Sequence, residues 1–158
     1  MNLSDYVPAL KYGADIDAPV DVSVVDDLTV TDDVTVGGKI VATGSDGIGY
    51  ATGAGGAVAQ ATNKQTGVTL SKVTGTVTTH AEALAAGAET TFTVTNTTVA
   101  ITDVVVLSIQ SGGTSGEYLA HVTDVGAGSF DITLANMSGS SASDAVLINF
   151  AVIKGVVA

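Results

Sequence analysis

Glycine clusters in residues 44–56, "GSDGIGYATGAGG", which is the first stretch of the chain that could bind a phosphate group. A dinucleotide-binding fingerprint needs Gly-x-Gly-x-x-Gly between a strand and a helix. After the Gly-Ile-Gly of residues 47–49 the next glycine, Gly53, comes one residue late, and no amphipathic helix is predicted after it. A P-loop needs Gly-Lys-Ser/Thr, whereas Lys64 is followed by Gln65. We therefore expect these glycines to allow turns and close approach of backbones, including those of other chains.

The residues needed for nucleophilic or zinc chemistry are scarce. There is no cysteine, no Gly-x-Ser-x-Gly elbow, and only two histidines, His80 and His121. His121 lies in an alternating segment on the face opposite Val122, so we expect it at the surface. A zinc site needs three or four ligands of the His, Cys or carboxylate type. The sequence therefore predicts a protein that is not an enzyme, with no catalytic residue, no metal and no cofactor.

Two aspartate pairs, Asp26-Asp27 and Asp32-Asp33, recur at a six-residue interval. Clustered carboxylates could bind Ca²⁺, above all if several chains bring them together. Aspartate is also a good turn residue, because its side chain accepts hydrogen bonds from nearby backbone N–H groups. We favour the turn interpretation and leave the calcium alternative open.

The charge balance limits the possible partners. The 158-residue chain has a net charge of -11, with five lysines and no arginine, so it lacks the basic stripe that nucleic acids or anionic membranes require. Eight of the thirteen aspartates fall in the first 33 residues, which makes a basic partner surface the natural complement. The N-terminus lacks the basic and apolar regions of a signal peptide, and no apolar run approaches membrane-spanning length. We expect a soluble chain made in the cytoplasm.

Two segments precede the predicted folded domain. Residues 1–21 contain both prolines and no sustained periodicity, so we expect an extended arm that either docks on a partner or packs on its own domain. Its apolar anchors are Tyr6, Val7, Leu10, Tyr12 and Ile16.

Residues 22–43 contain the hexads "VSVVDD", "LTVTDD" and "VTVGGK". Period-2 alternation makes each hexad a short strand and a turn, with a shared apolar face. That face consists of Val22, Val24, Leu28, Val30, Val34 and Val36. Three such strands bury too little area alone, so we predict a stalk wound from three identical chains. The alternative is one edge strand with a bulge at each Asp pair.

The remainder predicts an all-β domain. Residues 44–67 form a Gly/Ala-rich connector, and residues 68–158 an antiparallel β-sandwich or jelly-roll. We expect Phe92, Val94, Phe130, Ile132, Leu134, Val146, Ile148, Phe150 and Val152 to face inward. "DVVVLSIQ" is apolar on both faces, which predicts a central buried strand. A turn is predicted at Gly75, and a helix of at most two turns in residues 80–89.

Several strings resemble a module of tailed-bacteriophage structural proteins. They are "LTVTDDVTVGGKI", "GIGYATGAGGAVAQATNKQTGVTLSK", "ALAAGAETTFTVTNTTVAITDVVVLSIQSG" and "FAVIKG", which together span roughly residues 28–155. The resemblance implies a β-rich, trimeric virion component of the head decoration, head fiber or tail fiber type, and it implies no catalytic residues. The small size favours the head.

On these grounds we expect a capsid decoration protein, a homotrimer on the outer capsid surface that binds the major capsid protein through its arm and stabilises the shell. One alternative is a short head or tail fiber that contacts the host. Another is a carbohydrate-binding β-sandwich, although the chain has no tryptophan to stack on sugar rings.

Overall fold

The computed structural model describes residues 29–31, 33–45 and 47–156. The chain divides into two compact units, Met1–Thr43 and Gly44–Ala158. The described residues of the first unit form no helix or strand within the single chain, and Val30, Val34 and Val36 are 43–63% exposed. The other predicted arm and stalk residues lie outside the described residues: Tyr6, Val7, Leu10, Tyr12, Ile16, Val22, Val24 and Leu28. The arm and the stalk therefore stay predictions.

The second unit is built from strands. They are β1 (Ala57–Ala59), β2 (Val68–Thr69), β3 (Thr74–Thr78), β4 (Glu89–Thr95), β5 (Val104–Ser111), β6 (Tyr118–Gly126), β7 (Ser129–Asn136) and β8 (Leu147–Ile153). The described residues contain no helix, which confirms the all-β class, and hence no helix able to cross a membrane. β1 lies within the predicted connector, residues 44–67.

The strands form two four-stranded sheets. Sheet A has the order β1-β3-β8-β5, and sheet B has the order β2-β4-β7-β6. The β3–β8, β5–β8, β4–β7 and β6–β7 pairs are antiparallel, as predicted for residues 68–158. The short strands depart from this pattern, because β1 pairs parallel with β3 and β2 pairs parallel with β4. The segment between β1 and β2 crosses from sheet A to sheet B. Each of these two short strands runs parallel to its neighbour, so both sheets are mixed.

The core lies between the two sheets. Alternation along β4, β7 and β8 buries the residues predicted to face inward, which confirms that part of the sequence interpretation. The Phe130 and Phe150 rings, one from each sheet, meet with centroids 5.3 Å apart. Val77, Val94 and Val146 fill the space around them with no exposed surface. Burial of these apolar side chains is the main stabilising contribution to the fold.

Two local predictions are wrong. Residues 80–89 form no helix; instead Leu84 makes a pair of backbone hydrogen bonds with Ala142, which holds this segment extended against the loop before β8. Gly75 does not turn the chain but lies inside β3. A Cβ there would come within 2.7 Å of the Gly56 carbonyl oxygen, so glycine is needed for close packing and not for a turn.

The segment "DVVVLSIQ" is also misassigned. It forms β5, which is an edge strand of sheet A and not a central one. Only one side of it packs into the core, through Val105 and the partly buried Leu107. Val104 and Val106 on the other side are at least half exposed. A strand that is apolar on both faces is therefore present, but the second face is open.

Candidate interaction surface

The outward side of sheet A carries no charged side chain. Directly paired residues of neighbouring strands point to the same side of a sheet, so the strand register defines this surface. We call it the sheet A surface. It consists of Ala57, Ala59, Thr74, Thr76, Thr78, Val104, Val106, Ser108, Ser111, Leu147, Asn149, Ala151 and Ile153.

The centre of the sheet A surface is held by short polar side chains. Thr76 donates its hydroxyl hydrogen to the Asn149 Oδ1 atom at 2.8 Å, which joins β3 to β8. The Thr74 hydroxyl donates to the Phe150 carbonyl oxygen at 2.8 Å. Threonine and valine favour strands because their branched side chains fit a pleated surface. The Thr74 and Thr76 hydroxyls are therefore both hydrogen-bonded within sheet A.

One side of the surface is apolar. Val104, Val106 and Ile153 are 50–56% exposed, and they lie together because Val104 pairs with Ile153. A groove of about 490 Å³ runs across the surface from the glycines at 55 and 56 to Val106. Most of the residues that line it are glycine or carry a short side chain, so another chain could approach closely there.

The outward side of sheet B differs in charge. Glu89, Asp124 and Asp131 lie on it, together with His121, which is exposed as predicted. Its threonines form hydrogen bonds to one another and to Asp131. The two outer faces of the sandwich are thus chemically distinct, one uncharged and one acidic.

Lys64 forms a second candidate site, and sequence reasoning missed its role. Its side chain is only 2% exposed, and its Nζ atom donates to the carbonyl oxygens of His80 and Asp144, each at 2.6 Å. Burial lowers the pKa of the Lys64 amine, and the nearby carboxylates of Asp144 and Glu82 oppose this effect. The backbone N–H of Lys64 donates to Glu82 Oε2 at 3.0 Å. Lys64 therefore ties the β1–β2 loop to the segments that follow β3 and precede β8.

Polar partners surround Lys64. Gln60 donates to the Lys64 carbonyl oxygen at 3.0 Å and accepts from the His80 backbone N–H at 3.0 Å. The Tyr118 ring lies 5.9 Å from the Lys64 Nζ atom, and burial raises the pKa of the Tyr118 hydroxyl. That hydroxyl lies 3.2 Å from Asp144 Oδ2. Because the Nζ atom lies within hydrogen-bond distance of two backbone carbonyl oxygens, it joins three backbone segments. We call this arrangement the Lys64 staple.

The predicted site residues and the observed surface do not coincide. Of the stalk residues, Val30, Val34 and Val36 are described, and all three are exposed in the single chain. Within the described residues no group of three or more His, Asp or Glu side chains could hold a metal ion. One feature of the sequence indicates the sheet A surface, namely the segment "VVVLSIQ", which is apolar on both faces. No sequence pattern indicates the buried positions of Gln60 and Lys64.

Comparison with protein-family models, with curated proteins and with solved structures finds no match to this chain.

Proposed function

We propose that this chain is a non-enzymatic structural protein of a tailed-bacteriophage particle, a homotrimer that decorates the outer surface of the head and binds the major capsid protein. The observation that carries the proposal is the uncharged sheet A surface on a chain of net charge -11. An acidic chain that keeps one broad face free of charge is suited to self-association. The resemblance of residues 28–155 to phage structural modules supports the viral setting.

The β-sandwich supplies the rigidity that such a role requires. Besides the Lys64 staple, Asp103 accepts hydrogen bonds from the backbone N–H groups of Ala100 and Gly155 and forms an ion pair with Lys154. These contacts fix the segment after β8 to the loop before β5. A subunit that is already rigid before it binds loses less conformational entropy on binding, which favours a high affinity for the shell.

The acidic N-terminal segment would make the contact with the capsid. A protein that binds only the intact shell stabilises it by mass action, by about 2.7 kcal/mol per site at a hundredfold excess over Kd. Many sites on one shell multiply this effect. The electrostatic part of the attraction should weaken as salt rises, while the apolar anchors of residues 1–21 keep some affinity.

The test is a heat-release assay on particles with and without the protein. We expect particles that lack it to release DNA at a lower temperature, and added protein to restore the release temperature. Bovine serum albumin at the same concentration serves as the control for non-specific protection. Equal heat stability with and without the protein would contradict the decoration role. If such particles also adsorb poorly to host cells, the short-fiber function replaces it.

A further inference from the structure

We propose that three copies of this chain pack through their sheet A surfaces around a threefold axis, with Asn149 closest to that axis. This inference rests on the homotrimer of the proposed function and names the surface that forms it. The occupant of each sheet A surface is thus the same surface of two other copies.

Charge selects this face of the sandwich. Copies of a chain with net charge -11 repel one another, so a contact that places no carboxylates against each other carries the smallest electrostatic cost. The outward face of sheet B carries Glu89, Asp124 and Asp131, so three such faces would place nine carboxylates around one axis. The sheet A surface brings no charge to the axis and buries the exposed side chains of Val104, Val106 and Ile153.

The width of sheet A fits a threefold arrangement. Four strands spaced about 4.8 Å apart make a sheet about 19 Å wide. Three sheets of that width enclose a triangular prism whose centre lies about 5.5 Å from each sheet, close to half of the ~10 Å that separates packed sheets. One layer of short side chains from each copy therefore fills the prism. Most side chains of the sheet A surface, its alanines, serines, threonines and valines, are of that size, and Leu147, Asn149 and Ile153 are its larger members.

Asn149 supplies the contact at the centre. It lies on β8, which with β3 forms the middle of sheet A, so its side chain falls near the axis of the prism. Its Oδ1 atom accepts the Thr76 hydrogen bond, whereas its amide nitrogen donates to no other described residue. Buried amide hydrogens need acceptors. In the trimer the amide of each Asn149 can donate to the Asn149 side chain of the next copy.

The size of the surface sets the expected strength. Seven residues of β8 extend about 23 Å, so the sheet A surface covers roughly 440 Å². A standard interface buries about 800 Å² per partner. The sheet A surface is smaller than a standard interface and therefore supplies part of the trimer contact. Because the contact is small, one charge placed in it should raise the concentration at which the trimer dissociates into a measurable range.

The experiment compares the full chain with its Asn149→Asp variant by sedimentation velocity over nanomolar to micromolar concentrations. The substitution keeps the shape of the side chain and the acceptor for Thr76, but it brings three carboxylates together at the axis. We expect the concentration at half-dissociation to rise by at least about a hundredfold. Thr95→Asp, which places the same charge on the outward face of sheet B, is the matched control and should assemble like the unchanged chain. Far-UV circular dichroism verifies that both variants fold.

A second variant, Val106→Asp, places the charge at the edge strand, where a single folded chain leaves the side chain half exposed. It should also weaken the trimer. Unchanged assembly of both Asn149→Asp and Val106→Asp overturns the proposed surface, and so does a monomer or dimer mass for the unchanged chain. If the charge variants dissociate while the unchanged trimer fails to protect particles, the surface stands and the decoration role fails.

Discussion

Replacing Lys64 with methionine should destabilise the fold more than is usual for a residue that lies outside the hydrophobic core. Methionine keeps the stem of the side chain but removes the Nζ atom, which leaves the carbonyl oxygens of His80 and Asp144 without their 2.6 Å donor. A hydrogen bond from a charged group contributes about 1.5–3 kcal/mol. Burial disfavours the charged amine, which is why its pKa is lowered. Removing the amine removes this cost and offsets part of the lost hydrogen-bond energy. We therefore expect the free energy of unfolding to fall by about 2–4 kcal/mol.

The assay is urea unfolding at pH 7, followed by far-UV circular dichroism at one fixed protein concentration, because assembly would couple stability to concentration. Lys72→Met is the matched control. Lys72 is exposed, and its Nζ atom donates to the Gly53 carbonyl oxygen at 3.1 Å, so its loss should change stability by less than about 0.5 kcal/mol. Equal effects of the two substitutions would refute the assignment of Lys64 as a staple.

Two further variants test the contacts near the C-terminus. Hydrogen bonds from the Ala100 N–H and from Lys154 lower the pKa of Asp103, so its contribution is present above the ordinary carboxyl range and is lost as pH falls through the lowered pKa. Asp103→Asn should therefore be less stable than the unchanged chain at pH 7, with the gap closing in acid; a gap independent of pH in urea titrations would contradict this. A Cβ on Gly155 would lie 2.0 Å from the Thr102 carbonyl oxygen, so Gly155→Ala should cost about 1–3 kcal/mol, whereas Gly139→Ala meets open space and should be neutral by thermal melting.

Strand alternation allowed the inner faces of the sandwich to be predicted. Phe92, Phe130 and Phe150 lie two residues from other apolar side chains, and each lies in the core. This signal is robust because a shift of one residue would turn every apolar side chain of a strand to solvent. The parallel pairing of β1 and β2 could not be predicted, since strands of two or three residues carry no readable period.

The position of β5 within its sheet could not be predicted, because a central strand and an edge strand can both have a sequence that is apolar on its two faces. A central strand buries both faces within its own domain, whereas an edge strand with an apolar outer face can bury it against another chain. Val104 and Val106 fit either arrangement by residue type alone. Only the strand order, which places β5 beside β8 and at the edge, separates the two.

Tertiary contacts overrode local preference elsewhere. The alanines of residues 80–89 favour a helix, but the hydrogen bonds between Leu84 and Ala142 hold the segment extended. Lys64 is one of only five cationic residues on an acidic chain, and a surface position was the default expectation for it. Its burial depends on the carbonyl groups of His80 and Asp144, which are separated from it along the chain by 16 and 80 positions. No local sequence pattern reveals partners that far away.

Reconstruction of the intact phage particle by electron cryomicroscopy tests the central claim most directly. The account predicts threefold density on the outer surface of the head, into which three β-sandwiches fit with their sheet A surfaces facing the axis. Density for this chain only on the tail, or its absence from particles, would contradict the decoration role.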